Sequence, residues 1–262
     1  SYSVPLLPSY LGSFILAQFD RVMIGHYLGK EEAGQYSFAY NISLLLVFVT
    51  NAFSNSWTPK YFEYMNKRDY ESHDRDVLKL LSLSSVAACG LILFSDMIGY
   101  ILGSEAFHSS LHLIPIIILG QFVVGIIPIY KRHISFAKRT IFTSLIVVIT
   151  GVINIILNAI YIPIFGSAAG AYTTVISYAV LFLMAYGVVR FVLKVYVTPV
   201  LKIASRSAVI FLALSFYYVE LMVFDLEIWE GLLFKSLGFV ICGLILFGSQ
   251  GIYLMKKSPP DE

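Results

Sequence analysis

Long apolar runs, each ended by a short polar or glycine-containing turn, recur along the whole chain. Each run has about the 20 residues a helix needs to cross a bilayer. The pattern predicts an all-α polytopic membrane protein with about eight transmembrane helices. The first lies within Ser3–Gly29 and ends at a Gly29–Glu32 turn. The others are expected near Ala33–Phe62, Val77–Leu102, Leu111–Tyr130, Thr140–Ile162, Ala168–Val189, Arg206–Phe224 and Gly231–Met255. Between them lie a charged loop, Glu63–Asp76, a turn at Gly103–Ser110, a basic loop, Lys131–Arg139, and a tight turn, Pro163–Ser167. Arg190–Ser205 is a longer connection, amphipathic enough to lie along a membrane surface.

Within the first run the residues divide by angle at about 100° per residue. Leu11, Ile15, Leu16, Phe19, Val22 and Met23 share one arc, while Ser9, Ser13, Asp20 and Tyr27 share another. Gln18, Arg21 and Gly25 flank them. Asp20 and Arg21 each cost roughly 2.5–3.5 kcal/mol near the centre of a lipid-facing helix, so they must be sheltered by protein or water. This helix is therefore expected to line a polar interior. The second helix carries a matching stripe of Ser37, Asn41, Asn51 and Asn55, which suits either inter-helix hydrogen bonds or a cavity wall. In the fourth, Gln121 is a cavity candidate beside Gly120 and Gly125. Asn154 and Asn158, four apart in the fifth with Thr150 one turn earlier, are expected to pack against a neighbouring helix.

Composition supports the membrane reading. Hydrophobic residues make up 58% of the chain and charged residues 13%, about half the share of an ordinary soluble domain; the mean hydropathy is +0.80. The net charge of +2 matters less than its distribution. Basic residues at Lys60–Lys79, Lys131–Arg139, Arg190–Arg206 and Lys256–Lys257 fall on one set of loops and helix ends. The opposite set has Lys30 and Lys235 with the acids Glu31, Glu32, Glu105, Asp225, Glu227 and Glu230. The positive-inside rule then places both termini in the cytoplasm. Asp96, Glu220 and Lys235 are expected to reach the outer interface, and Glu71–Asp76 to be solvated. His26 lies on the apolar arc and is expected to pack. His108 and His112 have metal-ligand spacing, but they sit in an outward turn with Glu105 as the nearby acid, so a surface role is expected. Cys89 and Cys242 lie in apolar runs and are expected to be inert. The sequence contains no phosphate loop, nucleophile triad or metal motif, which points away from an enzyme; no cofactor, metal or nucleic-acid partner is expected.

Three segments resemble the polysaccharide transporter branch of the multidrug/oligosaccharidyl-lipid/polysaccharide (MOP) exporter superfamily, the O-antigen flippase (Wzx) type. They are DRVMIGHYLGKEEAGQYSFAY (Asp20–Tyr40), LGSEAFHSSLHLIPIIILGQ (Leu102–Gln121) and NIILNAIYIPIFGSAAGAYTTVISY (Asn154–Tyr178), in the family's order. The resemblance implies two six-helix bundles facing each other around a cationic cavity. It divides this chain into the second bundle (residues 1–193, family helices seven to twelve), a cytoplasmic amphipathic linker (194–205), an additional helix pair (206–255) and a cytoplasmic tail (256–262). The absent start methionine and the immediate entry into a helix also suit the C-terminal part of a longer protein.

On this resemblance the protein flips an undecaprenyl-diphosphate-linked oligosaccharide across the bacterial inner membrane by alternating access. Arg21 would meet the diphosphate, Asp20 would orient Arg21 or carry a proton, and Tyr40 and the asparagines would meet sugar hydroxyls. The opposing expectation is a structural Asp20–Arg21 ion pair. Implied partners are the lipid-linked oligosaccharide, membrane lipids, an N-terminal six-helix half and a glycan polymerase. Alternatives are a multidrug or lipid-linked peptidoglycan-precursor exporter of the same superfamily, or a polytopic membrane glycosyltransferase or polymerase.

Overall fold

A computed structural model describes residues 7–223 and 228–255, with side chains described for 12–222 and 230–248. The tail at 256–262, Asp225 and Glu227, and the side chains of Ser9 and Leu11 lie outside the described residues. The elements are α1 (Leu7–Tyr27), α2 (Lys30–Lys67), α3 (Tyr70–Leu93), α4 (Ser95–Leu102), a 3₁₀ segment (Glu105–Leu113), α5 (Ile114–Phe136), α6 (Ile141–Phe165) and α7 (Ser167–Gly187). A π-helical turn (Val188–Val192), α8 (Val200–Val223) and α9 (Ile228–Met255) complete the order. Seven segments among the described residues are long and apolar enough to cross a bilayer. The 21 residues of α1 give it a length of about 31 Å, bilayer length as well.

The first seven helices pack together with α5 inside. α2 lies against α1, α3 and α5, and α7 lies against α5 and α6; α8 and α9 form a pair seated on α3. The α1–α6 crossing is close because both helices offer glycine there. A β-carbon on Gly12 would lie 2.8 Å from Val147 Cγ1, and one on Gly151 would lie 3.7 Å from the Gly12 carbonyl oxygen. Small residues let membrane helices approach for van der Waals contact, the main attraction available in lipid. Gly12→Leu in the intact protein is expected to force these helices apart and lower the thermal midpoint, at an overpacking cost of about 1–3 kcal/mol. An unchanged midpoint in a detergent thermal-shift assay would count against this crossing.

Several boundaries differ from the sequence expectation. The charged loop at Glu63–Asp76 is reduced to Arg68 and Asp69, because α2 and α3 extend into it from both sides. Arg68 adopts a left-handed conformation at φ 56° and closes α2 through its N–H to Met65. The Asp69 carboxylate accepts the Ser72 backbone N–H at 3.0 Å, capping α3. That bond holds the carboxyl below its usual range. At about 57 Å, α2 is nearly twice the hydrocarbon thickness and carries its polar end clear of the lipid. α5 also continues through Lys131 and Arg132 rather than ending before them. The expected Pro163–Ser167 turn is Gly166 alone, at φ +76°, where a side chain would strain the backbone.

The connection between the bundle and the extra pair is held by Asp74, which is buried rather than solvated. Its carboxylate accepts hydrogen bonds from Tyr196 Oη (2.9 Å), Thr198 Oγ1 (2.8 Å) and Lys202 Nζ (2.9 Å). Tyr70 stacks on Tyr196 with ring centroids 4.2 Å apart. Burial, with the bond to Asp74, pushes the Tyr196 phenol up to about 12. The expected 194–205 linker is thus divided: Val197 and Thr198 are buried, and α8 begins at Val200. Farther along the pair, Cys89 and Cys242 are both buried and their thiols approach the same Val209 carbonyl, at 3.8 and 3.9 Å.

Two expectations drawn from the helical wheel are overturned. His26 is exposed rather than packed, and Val22 on the apolar arc is 60% exposed. The buried face of α1 is instead Leu16, Asp20, Met23 and Ile24, because that side meets α2, α6 and α7. Asp96, Glu220 and Lys235 do not reach outward separately. They converge, with Lys235 only 4% exposed.

Candidate functional site

The polar residues of α1 and α2 sort into two layers. Asp20 is 1% exposed and faces into the bundle. Its carboxylate accepts the Tyr36 hydroxyl at 2.7 Å and the Arg21 backbone N–H at 2.7 Å. Tyr36 is fully buried, so the pair shields the acid from lipid without a second charge. Arg21, one residue later, turns about 100° away. Its guanidinium carbon lies 3.8 Å above the centroid of the Tyr40 ring. No ion pair joins the Asp20 and Arg21 side chains among the described residues, so Asp20 positions Arg21 only through the backbone. Arg21 Nε and Nη2 are buried without a hydrogen-bond partner.

Beside this stack a pocket of about 310 Å³ opens between α1, α2, α5 and α7. Tyr40, Asn51, Gln121 and Lys131 give it polar character, with Ser13 and Tyr178 on the α1 and α7 walls. Tyr178 donates its hydroxyl to the Leu16 carbonyl at 3.3 Å, fixing that wall. Gln121 is 3% exposed, and its side chain interacts with the Tyr40 hydroxyl. Three residues named from the sequence, Tyr40, Asn51 and Gln121, are therefore brought together. Asn41 and Asn55 are exposed on α2 outside the pocket lining, and Gln18 is half-buried and also outside it.

Lys131 and Arg132 were read as loop residues in the sequence. The continuation of α5 carries Lys131 into the pocket wall and Arg132 against α2. Arg132 Nη2 donates to the Ser54 carbonyl at 2.8 Å and to Thr58 Oγ1 at 2.6 Å, while Nη1 is buried without a partner. One signal was present: Gln121, Gly125, Pro128 and Lys131/Arg132 recur at helical spacing, so the polar face continues past the apolar run.

Asn154 and Asn158 stand apart from this pocket, within the α6–α7 seam. Asn158 Nδ2 donates to Asn154 Oδ1 at 3.2 Å, Asn154 Nδ2 donates to Ser177 Oγ at 3.2 Å, and the Thr173 hydroxyl donates to Asn158 Oδ1. All four side chains are buried. A second pocket of about 350 Å³ on the outer side of this seam is lined by Tyr161, Phe165 and Tyr172 and is apolar, suited to hydrocarbon rather than a polar head.

Residues 5–160 match the MatE family profile. The chain belongs to the MatE family. It is thus part of the MOP exporter superfamily, whose members are transporters rather than enzymes. Among curated proteins it is similar to the "Probable low-salt glycan biosynthesis flippase Agl15" of Haloferax volcanii. The two are 26% identical over 186 residues, 69% of this chain and 39% of that protein. Among solved structures it resembles "Lipid II flippase MurJ, inward closed conformation", at a TM-score of 0.59 and 18% identity. That match covers 90% of this chain and 52% of the other. The chain spans about two-fifths of the length of the curated relative and about half of the solved one. The MatE match covers the helices that build the pocket except α7, and the match to the solved chain is a match of fold.

Proposed function

We propose that this chain is one half of a flippase for a lipid-linked oligosaccharide, and that the pocket between α1, α2, α5 and α7 receives the polar head. The observation that carries this reading is Arg21: a buried-edge guanidinium with two unpartnered nitrogens, stacked on Tyr40 beside a pocket walled by Asn51, Gln121 and Lys131. A diphosphate offers oxygens that fit the guanidinium fork, and a glycan offers hydroxyls that pair with amides. The cations at both ends of the pocket disfavour a cationic drug. The exposed polar side chains Asn41 and Asn55 of α2 lie outside the pocket and suit contact with an N-terminal six-helix half across a wet cavity. The likeness to a glycan flippase supports the same substrate class.

In this reading the head crosses by rocking of two bundles while the polyprenyl tail stays in lipid. An O-antigen unit on undecaprenyl diphosphate and a peptidoglycan precursor share the chemistry of diphosphate and sugar. A bacterial inner membrane with both termini cytoplasmic, and a glycan polymerase acting next on the product, complete the proposal. The test uses the intact transporter in liposomes, with a labelled lipid-diphosphate oligosaccharide scored by an impermeant reagent. Translocation of that lipid, and none of a cationic dye, is the expected result. Translocation of the dye without the lipid would overturn the proposal.

A further inference from the structure

At the junction of α4, α8 and α9, three ionisable side chains meet away from the pocket. Lys235 Nζ lies 2.5 Å from Asp96 Oδ2 and 3.3 Å from Glu220 Oε1. The side chains of Lys235, Glu220 and Asp96 are 5%, 15% and 30% exposed. Lys235 is the sixth residue of the spanning segment Glu230–Gly248, and Glu220 lies near the end of the segment Val200–Met222. Two carboxylates against one ammonium leave a net charge of −1, and an unbalanced charge is unfavourable in a low-dielectric setting.

Among the described residues, no further ion pair is made by these three side chains. From α8, the buried Tyr217 faces Asp96 and Glu220 and lies against Ser95. On α9, Glu230 is exposed. The titratable residue of α3 nearest this end is Cys89, engaged with the Val209 carbonyl. Asp96 Oδ1 is also buried without a hydrogen-bond partner among the described residues, next in the chain to the fully buried Ser95. Protonation of one of the two carboxylates would remove the surplus charge. Lys235 Nζ already occupies the space between the two carboxylates where a metal cation would have to sit.

We infer that the Asp96–Glu220–Lys235 cluster is a binding site for one exchangeable proton, held on a carboxyl group at the seat of the α8–α9 pair. The proton comes from the adjoining aqueous face and converts one carboxylate to the acid. Its release leaves the cluster with its unbalanced charge and loosens the contact between α9 and α4. The site is independent of the substrate pocket and does not rest on the transport reading.

The test is infrared difference spectroscopy on the intact protein in lipid. At neutral pH the wild type is expected to show a protonated-carboxyl C=O band that is lost in both Glu220→Gln and Asp96→Asn, since each variant leaves one carboxylate paired with Lys235. The thermal midpoint of the wild type should fall as pH rises and the proton leaves, and each single variant should lose that part of the pH dependence. A wild-type carbonyl band unaffected by either substitution overturns the inference. If either variant fails to fold, the wild type with isotope-labelled aspartate and glutamate carboxyls gives the same reading through its own pH titration. Absence of an isotope-shifted acid band at neutral pH overturns the inference equally.

Discussion

Arg21→Ala is expected to abolish lipid-linked glycan export by the intact transporter while leaving its amount in the membrane unchanged, and Arg21→Lys is expected to do the same. The guanidinium makes no ion pair with Asp20, and its Nε and Nη2 have no hydrogen-bond partner among the described residues. Removing it therefore breaks no charge pair of the fold. What disappears is a set of donors for a substrate anion, and hydrogen bonds to charged groups are worth about 1.5–3 kcal/mol, or roughly 10- to 150-fold in affinity. Lysine keeps the charge but loses the planar fork and the flat stack on Tyr40 at 3.8 Å. Flux in reconstituted liposomes, read beside protein level, decides the matter. Loss of the protein from the membrane would instead assign Arg21 to the fold, and export near the wild-type rate in both variants would remove it from the site.

Asp74→Ala is expected to release the connection between the bundle and the extra helix pair without unfolding either. Three donors converge on this carboxylate: Tyr196, Thr198 and Lys202. Lys202 is 42% exposed and can turn to water when its partner is gone, so the loss falls short of that for a fully buried ion pair. A local cost of about 3 kcal/mol follows from the hydrogen bonds to a charged acceptor, or about 100-fold in the opening equilibrium. Amide hydrogen exchange at residues 193–198 is the measurement. It should accelerate by that factor while exchange in α5 stays unchanged. Equal acceleration throughout the chain would mean that Asp74 supports the whole bundle, and no acceleration would mean that the stacking on Tyr70 suffices.

The helix boundaries show where sequence patterning stops working. Apolar runs mark the part of a helix that needs lipid or a protein core, so most span interiors were placed correctly, but the expected span Val77–Leu102 is broken at Phe94 into α3 and α4. Such runs do not mark where the backbone leaves the helix. α2 and α3 continue through the charged stretch around Glu63–Asp76 because a helix outside the hydrocarbon gains from polar side chains and from the Asp69 cap. The same effect hid Lys131 and Arg132, which look like a basic loop until α5 is seen to run through them. Tyr40, Asn51 and Gln121 were legible as pocket candidates because each interrupts an apolar face at helical spacing. Asn41 and Asn55 share that spacing, but they are exposed, and no other described helix covers them.

The order and approximate number of spans, the helical class and the family follow from the sequence by itself, because bilayer thickness dictates the length of an apolar run and three segments retain their family pattern. The angular position of Asp20 and Arg21 on α1 was also readable. Only the tertiary structure decided that Asp20 turns inward to Tyr36 while Arg21 lies on Tyr40 with free donors, and that Asp96, Glu220 and Lys235 meet. A helical wheel gives the direction of a side chain but not what stands opposite. For a charge in a membrane, that neighbour decides whether it is a cost, a clamp or a binding site.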